Sequence, residues 1–422
     1  MVQKKLISLV VFLLVVVLLG GVLTPAFGGT KITYWHPWGG RWGEKQNEIV
    51  QQFNKENPYG IEVEVVQVPG EEIVNKLITA DMGGNPPDVF TVWSGIDLVL
   101  ADKMCTPLDK FVAKDPRFSP KKYYPGALEW LTYKGKLLGL PWVGALMGLY
   151  YNKAHLKQAG LPVRAPKTWK ELETFADKTT IKDPQGKYKR FGFIPPYGWW
   201  NFVVQCSWQN GGEWWDYKNW KFTATNPKNI EAVKWIASFV DKYGIKNITE
   251  FNTAASASPC AFADELFTFI FDGCWTISAI RDYKPKLDYD VAPFPVPEGG
   301  HPVSVWFNDC MYMSNKSKNL DAAWKFLSWM ATEGTRRWCI WALEQPARYE
   351  ISRESVYQED EHFRAFSRIA KYSRTLISFP LMSLFSDKIG TTMESIMYKE
   401  KTPETALSEL ENLIQKELDK YK

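Results

Sequence analysis

Cysteine is absent before Cys105, and histidine occurs only four times in 422 residues. The first absence excludes a lipid-modified cysteine near the start of the chain. The six cysteines (Cys105, Cys206, Cys260, Cys274, Cys310 and Cys339) stand at spacings that match no zinc pattern. No metal site and no cofactor are therefore expected. Charge of one sign is missing too: 51 Lys and Arg against 47 Asp and Glu give a formal +4 at pH 7, with both signs mixed throughout. Without a basic stripe, nucleic acid is excluded as a partner. Past Leu23 no segment is long and apolar enough to span a bilayer, and no repeat or low-complexity tract occurs.

Residues 1–29 differ from the rest. Lys4 and Lys5 precede an apolar run from Leu6 to Leu23, and small residues close it at Gly28-Gly29. This reads as a secretory signal or a retained N-terminal anchor. Either places the remainder outside the cytoplasmic membrane, in a periplasm or on the outer face, and not as a lipoprotein. That setting permits disulfides, and Cys260–Cys274 is the pair closest in sequence. The length after residue 29 suits two domains rather than one core.

What the chain has in excess is tryptophan. Twenty Trp join 19 Tyr and 24 Phe, so 15% of residues are aromatic. Several lie in polar, glycine-rich clusters: Trp35–Trp42, Trp93-Ser94-Gly95-Ile96-Asp97, Gly198-Trp199-Trp200-Asn201 and Glu213-Trp214-Trp215-Asp216. Flat rings interleaved with Asp, Asn and Arg suit a ligand with C–H faces and a rim of hydroxyls, which describes a carbohydrate. Packing within a large aromatic core accounts for many of them equally well.

Periodicity predicts a strand over 31–35, a helix over 43–57, a strand over 61–66, a helix over 69–82 and a strand over 87–92. Such alternation implies a sheet with crossover helices, and ligands in these sheets bind beyond the strands' C-terminal ends. Trp38, Arg41, Trp42, Trp93 and Asp97 follow strands and are candidate ligand contacts. Further strands are expected at 137–142 and 149–153. Thr168-Trp169-Lys170-Glu171 reads as a capping box for a helix to about Lys178, followed by a hairpin into 191–194. Later helices are expected over 227–243, 321–330 and 402–420.

Five stretches together resemble one family: Tyr133–Pro141, Leu149–Lys153, Pro166–Leu172, Phe271-Asp272-Gly273-Cys274-Trp275 and Asp321–Leu327. Their order and content are similar to the extracellular solute-binding proteins of carbohydrate ABC transporters, the maltose/maltodextrin-binding superfamily. The resemblance implies a two-lobed α/β fold of the periplasmic-binding-protein type, with a hinge and lobes discontinuous in sequence. Residues 30–142 and 295–332 would form lobe 1; residues 143–294 and 333–422 would form lobe 2 with the C-terminal helices. It places Trp275 after a Gly-x-Trp turn as a stacking ring, and Trp306 and Asp309 where the chain recrosses. Tyr197, Trp199 and Trp200 would face the cleft from the second lobe, while Trp341, Glu344, Gln345 and Arg348 fall in the last segment to reach it. Cys274 stands where the family commonly has Ser or Pro.

The function implied is binding of a di- or oligosaccharide in an aromatic-lined cleft by a monomer, and its delivery to a membrane permease, without catalysis. A monosaccharide, polyol or glycerol phosphodiester are alternatives, as is a sugar carrier without a transporter. A glycoside hydrolase would need two carboxylates roughly 5–9.5 Å apart across the scissile bond, and no motif pairs Asp97, Glu213, Asp264, Glu265 or Asp309 in that way.

Overall fold

The computed structural model describes residues 29–124, 126–376 and 379–422. The expected signal or anchor therefore lies outside the described residues, Gly29 excepted. Strand β1 (Thr30–His36) turns Ile32, Tyr34 and His36 inward and leads into helix α1 (Gly40–Glu56). The helix starts three residues before the predicted Gly43 and buries Ile49, Val50 and Phe53. Asn57 ends it: its backbone N–H and its side-chain amide both donate to Phe53 O at 2.9 Å, just before Pro58. Strand β2 (Ile61–Gln67), helix α2 (Gly70–Met82) and strand β3 (Val89–Val92) follow as predicted, and β2 and β3 flank β1 in parallel.

The sheet then changes character. Strand β4 (Leu140–Asn152) is a single 13-residue element, buried along its whole length, where two short strands were expected. Beyond it come helices α3 (Trp169–Thr179), α4 (Trp200–Gln209) and α5 (Pro227–Tyr243), strand β5 (Phe269–Gly273), helix α6 (Thr276–Tyr283) and strands β6 (Tyr289–Ala292) and β7 (Ser304–Met313). The strand order is β5-β4-β7-β3-β1-β2, with β6 also on β4. All pairings from β3 outward to β5 are antiparallel. The first half of β4, Leu140 to Leu146, pairs with β7; its second half pairs with β5 and β6. β4 and β7 are thus the strands that join the parallel end of the sheet to the antiparallel end.

The α3 cap forms with one shift. Thr168 Oγ1 accepts the Glu171 N–H at 3.1 Å, while the Glu171 carboxylate accepts from Lys167 N–H at 2.6 Å rather than from Thr168. The hairpin at 181–190 pairs Ile181 and Lys182 with Arg190 and Tyr188, so its second strand ends before the predicted 191–194. Helices α7 (Leu320–Trp329) and α8 (Thr335–Ala342) are joined by a π-helical turn over Met330–Gly334.

The core divides by sheet face. On one side Ala145, Met147, Leu149, Phe307 and Tyr312 pack with residues of α4 and α5. On the other, Trp142, Leu146, Tyr150, Trp306 and Met311 pack with residues of α1, α7 and α8. Side chains two apart on a strand share a face, so each long strand feeds both clusters.

The candidate pair Cys260–Cys274 is not joined: all six cysteines are free. Cys274 is fully buried with Sγ 4.0 Å from the Gly144 carbonyl on β4, whereas Cys260 lies partly exposed. Proximity in sequence gave no guide, because the Cys274 side chain is turned into the sheet.

Gly144 offers a direct test of this packing. A Cβ there would lie 2.2 Å from the Trp306 ring, which therefore needs the glycine beneath it. Gly144→Ala should destabilise the protein by about 1–3 kcal/mol, the range for overpacking a full core. Urea unfolding checks this, and an unchanged midpoint would contradict the placement of Trp306.

Candidate binding site

A cavity of about 370 Å³ lies on one face of the sheet where β4 and β7 pair. Its floor is Val143 and Ala145 from β4 and Phe307 and Asp309 from β7, with Phe307 opposite Ala145 and Asp309 opposite Val143. Its walls are Trp38 from the β1–α1 turn, Trp42 from the first turn of α1, Trp93 from the turn after β3, Trp275 from the turn after β5, and Glu344. A second cavity of about 590 Å³ shares Trp42 and Trp275 with the first and runs past Ile194, Trp199 and Asp272. Both volumes lie within the span of small-molecule sites.

Each ring is held by something specific. Trp38 sits among Trp142 and Trp338, with ring centres 5.0 Å from both. Trp42 meets Trp341 edge-on at 4.9 Å, and the Arg41 guanidinium lies against both of those rings, at 5.0 and 4.7 Å. Trp93 rests on Gly70 at the start of α2, where a Cβ would come within 2.0 Å of its ring. Trp275 lies in the same way over Gly273, at 2.2 Å. Its indole and the Thr276 hydroxyl donate to Asp272, which also accepts the Gly273 N–H at 2.7 Å. Asp272 is a positioning group for the Trp275 ring.

Two carboxyls face the first cavity. A register shift between Asp309 and Cys310 interrupts the β4–β7 ladder, so both residues fall on the cavity side of the sheet. Burial pushes the Asp309 carboxyl well above the usual carboxylate range; the neighbouring Glu344 adds to the rise, and the Ser94 backbone N–H works against it. Glu344 follows Leu343, whose left-handed φ of 55° reverses the chain at the end of α8. Trp338 Nε1 donates to Glu344 Oε2 at 2.5 Å, yet burial still lifts this carboxyl to about 7. Among the described residues, no Lys or Arg lines either cavity.

The structure brings Trp38, Trp42, Trp93, Trp275 and Asp309 to the first cavity and Trp199 to the rim of the second. It places the other candidates elsewhere. Arg41 is ion-paired with Asp282 at 2.5 Å, on the side of Trp42 shared with Trp341. Trp341 backs Trp42 without reaching the cavity. Asp97 accepts the Ser383 N–H at 2.5 Å, tying the start of a short helix to the C-terminal region. Tyr197 packs on the core, and Trp200 is buried against Trp130 and Phe307. Trp306 faces the opposite side of the sheet, its indole N–H on Asn308 at 2.9 Å, and Phe307 takes the cavity position. Arg348 is 1% exposed, between Phe118 and Tyr123, and donates to Arg117 O and Glu350. Sequence reasoning missed Val143, Ala145 and Phe307, since strands buried on both faces show no alternation. Glu344 carried a usable signal: a lone acid in the apolar run Trp341-Ala342-Leu343-Glu344-Gln345-Pro346.

An α/β fold with an aromatic cavity over two through-strands defines a binding protein for a small solute. The family model for bacterial extracellular solute-binding proteins matches residues 48–365. The chain belongs to that family, the non-enzymatic solute-binding components of ABC transporters. It is 25% identical over 311 residues to the maltotriose-binding protein of Pyrococcus abyssi, covering 72% of this chain but only 63% of that protein. It is 26% identical over 437 residues to the sn-glycerol-3-phosphate-binding periplasmic protein of Salmonella typhimurium, covering 92% of this chain and 94% of that one. The solved structure of CpMnBP1 with mannotriose bound superposes with a TM-score of 0.80 at 26% identity, over 92% of this chain and 100% of that one.

The Glu344 carboxyl predicts a pH dependence of stability. Its folded value of about 7 exceeds the ordinary 4.5, so between those values the folded state binds more protons than the unfolded one. Stability must fall as pH rises through this window, by about 3 kcal/mol for this group alone. Glu344→Gln should keep the acceptor for Trp338 and remove that part of the decline, leaving the variant more stable than its parent above pH 7. Urea unfolding at pH 5 and pH 8 measures the difference.

Proposed function

We infer that this chain is the extracytoplasmic carbohydrate-binding component of an ABC importer, taking a di- or oligosaccharide and presenting it to a membrane permease. The observation that carries the reading is the cavity lining: four tryptophans and Phe307 for the C–H faces of a sugar, Asp309 and Glu344 for its hydroxyls, and no cation. Stacked rings exclude water, and carboxylates accept strong hydrogen bonds from hydroxyl groups. A hydroxyl left unpaired in such a cavity costs about 1–3 kcal/mol, which is enough to discriminate stereoisomers. The second cavity, opening from Trp42 and Trp275, supports more than one sugar ring.

The two lobes are residues 30–142 with 295–332 and residues 143–294 with 333–422, with β4 and β7 running between them. Contacts from both to one ligand favour a closed form, and that form meets the permease. The protein acts as a monomer. The basic start and apolar run within residues 1–29 support export by a signal or anchor, and the lack of cysteine before Cys105 argues against a lipoprotein.

The likeness to a glycerol-3-phosphate-binding protein supports a second reading. A phosphate calls for cationic partners or helix N-termini. Arg41 is matched by Asp282, Arg281 donates to Asp282 and to Trp341 O, and Arg348 is buried elsewhere. Carboxyls in the cavity would repel the anion.

Calorimetry against mono-, di- and oligosaccharides should give binding, and sn-glycerol 3-phosphate should give none. Binding of the phosphate alone would overturn the carbohydrate reading. Trp275→Ala should weaken sugar binding by about 1–3 kcal/mol, on the scale of buried aromatic contacts. An unchanged affinity would remove Trp275 from the site.

A further inference from the structure

Two acid side chains and, among the described residues, no cation line the first cavity. Asp309 and Glu344 face the same space, and Asp272 faces the cavity that continues it. Each of the three carboxyls is raised by burial, so each is held away from water without a matching cation. Glu344 is buried, and Trp338 Nε1 donates to its Oε2 at 2.5 Å. The nearest guanidinium, that of Arg41, lies against Trp42 and Trp341 and is paired with Asp282. Around these carboxyls stand Trp38, Trp42, Trp93 and Trp275. Aromatic rings around acid groups that burial keeps from ionising, with no cation beside them, form an environment that an organic cation would suit.

Resting on the carbohydrate reading, we propose that the sugar selected by this cavity carries a free, protonated amine: an amino sugar rather than a neutral or N-acetylated one. The ammonium would lie between the Asp309 and Glu344 carboxyls, with its donors directed at their oxygens, and its charge would favour their ionised form. The tryptophan faces would cover the ring and add cation–π attraction. A neutral sugar can hydrogen-bond these carboxyls but brings no charge to favour their ionised form. An N-acetyl group offers one N–H donor and a carbonyl that faces like-signed oxygens. The family's general preference for sugars does not require a cation; the inference comes from the number of carboxyls here and the absence of a lining Lys or Arg.

The test is calorimetry of the purified full chain at pH 7 with matched sets of probes. Glucosamine, galactosamine and mannosamine are compared with their N-acetyl and parent sugars, and the deacetylated chitobiose with N,N′-diacetylchitobiose and cellobiose. At least one amino sugar should bind 10-fold or more tighter than both its N-acetyl and its parent form, and this advantage should shrink as NaCl is raised. Glu344→Gln and Asp309→Asn should each reduce the ratio of amino-sugar to neutral-sugar affinity. Circular dichroism checks folding, and the ratio in the parent protein decides the question even if a variant fails to fold. Neutral sugars binding as tightly as their amino forms would overturn this inference and leave the carbohydrate reading standing. No binding by any sugar in these sets or in the wider saccharide screen would overturn both.

Discussion

Two antiparallel strands, buried on both faces, carry every side chain of the cavity floor, and their register decides which residues those are. With Phe307 opposite Ala145 and Asp309 opposite Val143, one face presents an apolar floor with a single carboxyl. A slip of one residue would present Trp142, Gly144, Trp306 and Asn308 instead. Trp306 opposes that slip. Its ring occupies the space above Gly144, its indole N–H is bonded to Asn308, and Asn308 donates in turn to Ala127 O at 3.1 Å. Alternation from Phe307 keeps the Asp309 carboxyl on the cavity face, and the register shift that follows it brings Cys310 to the same face. The large ring on the far face thus specifies the cavity it never touches.

The tryptophans divide accordingly. Trp38, Trp42, Trp93 and Trp275 face the solute space; Trp142, Trp338 and Trp341 stand behind the first two and fix their planes. The backing rings also satisfy their own polar atoms usefully. Trp142 donates to Met330 O in the π-helical turn, and Trp338 donates to Glu344. An indole combines a large apolar surface with one directional donor, so one residue packs a wall and orients a carboxyl at once. Leucine or phenylalanine in place of Trp338 would fill space and leave Glu344 without its donor.

How far this was legible follows from the same geometry. The strands β1 and β2 and the amphipathic helices α1 and α2 show in the sequence because one face of each meets solvent, while β3, buried throughout, shows as a short apolar run between turn residues. The rings at strand ends, Trp38, Trp42 and Trp93, show because topology puts ligands there. The long strand Leu140–Asn152 does not show as one element: it is buried on both faces, and Gly144 and Gly148 interrupt its apolar pattern. For the same reason nothing local told Trp306 from Phe307. Arg348 was misplaced because a buried arginine between Phe118 and Tyr123 looks, in sequence, like any other arginine near a cleft segment. Asp97, a plain helix cap by its position, instead bonds to Ser383, nearly three hundred residues away in the chain.

The carboxyls around the cavity oppose folding, since each is held above its ordinary ionisation range by loss of water. Local donors offset this only in part: one backbone N–H acts on Asp309, one indole on Glu344, and the Gly273 N–H on Asp272. The stability must come from the two large core clusters on either side of the sheet. Destabilisation confined to the cavity is then available to a ligand. A solute that supplies further donors lowers the energy of groups already desolvated, and the free protein has already met the cost of stripping their water. The buried carboxyls and the tightly packed rings behind them are two parts of one device: rigidity keeps the carboxyls from turning back to water, and a solute is selected by how well it serves them.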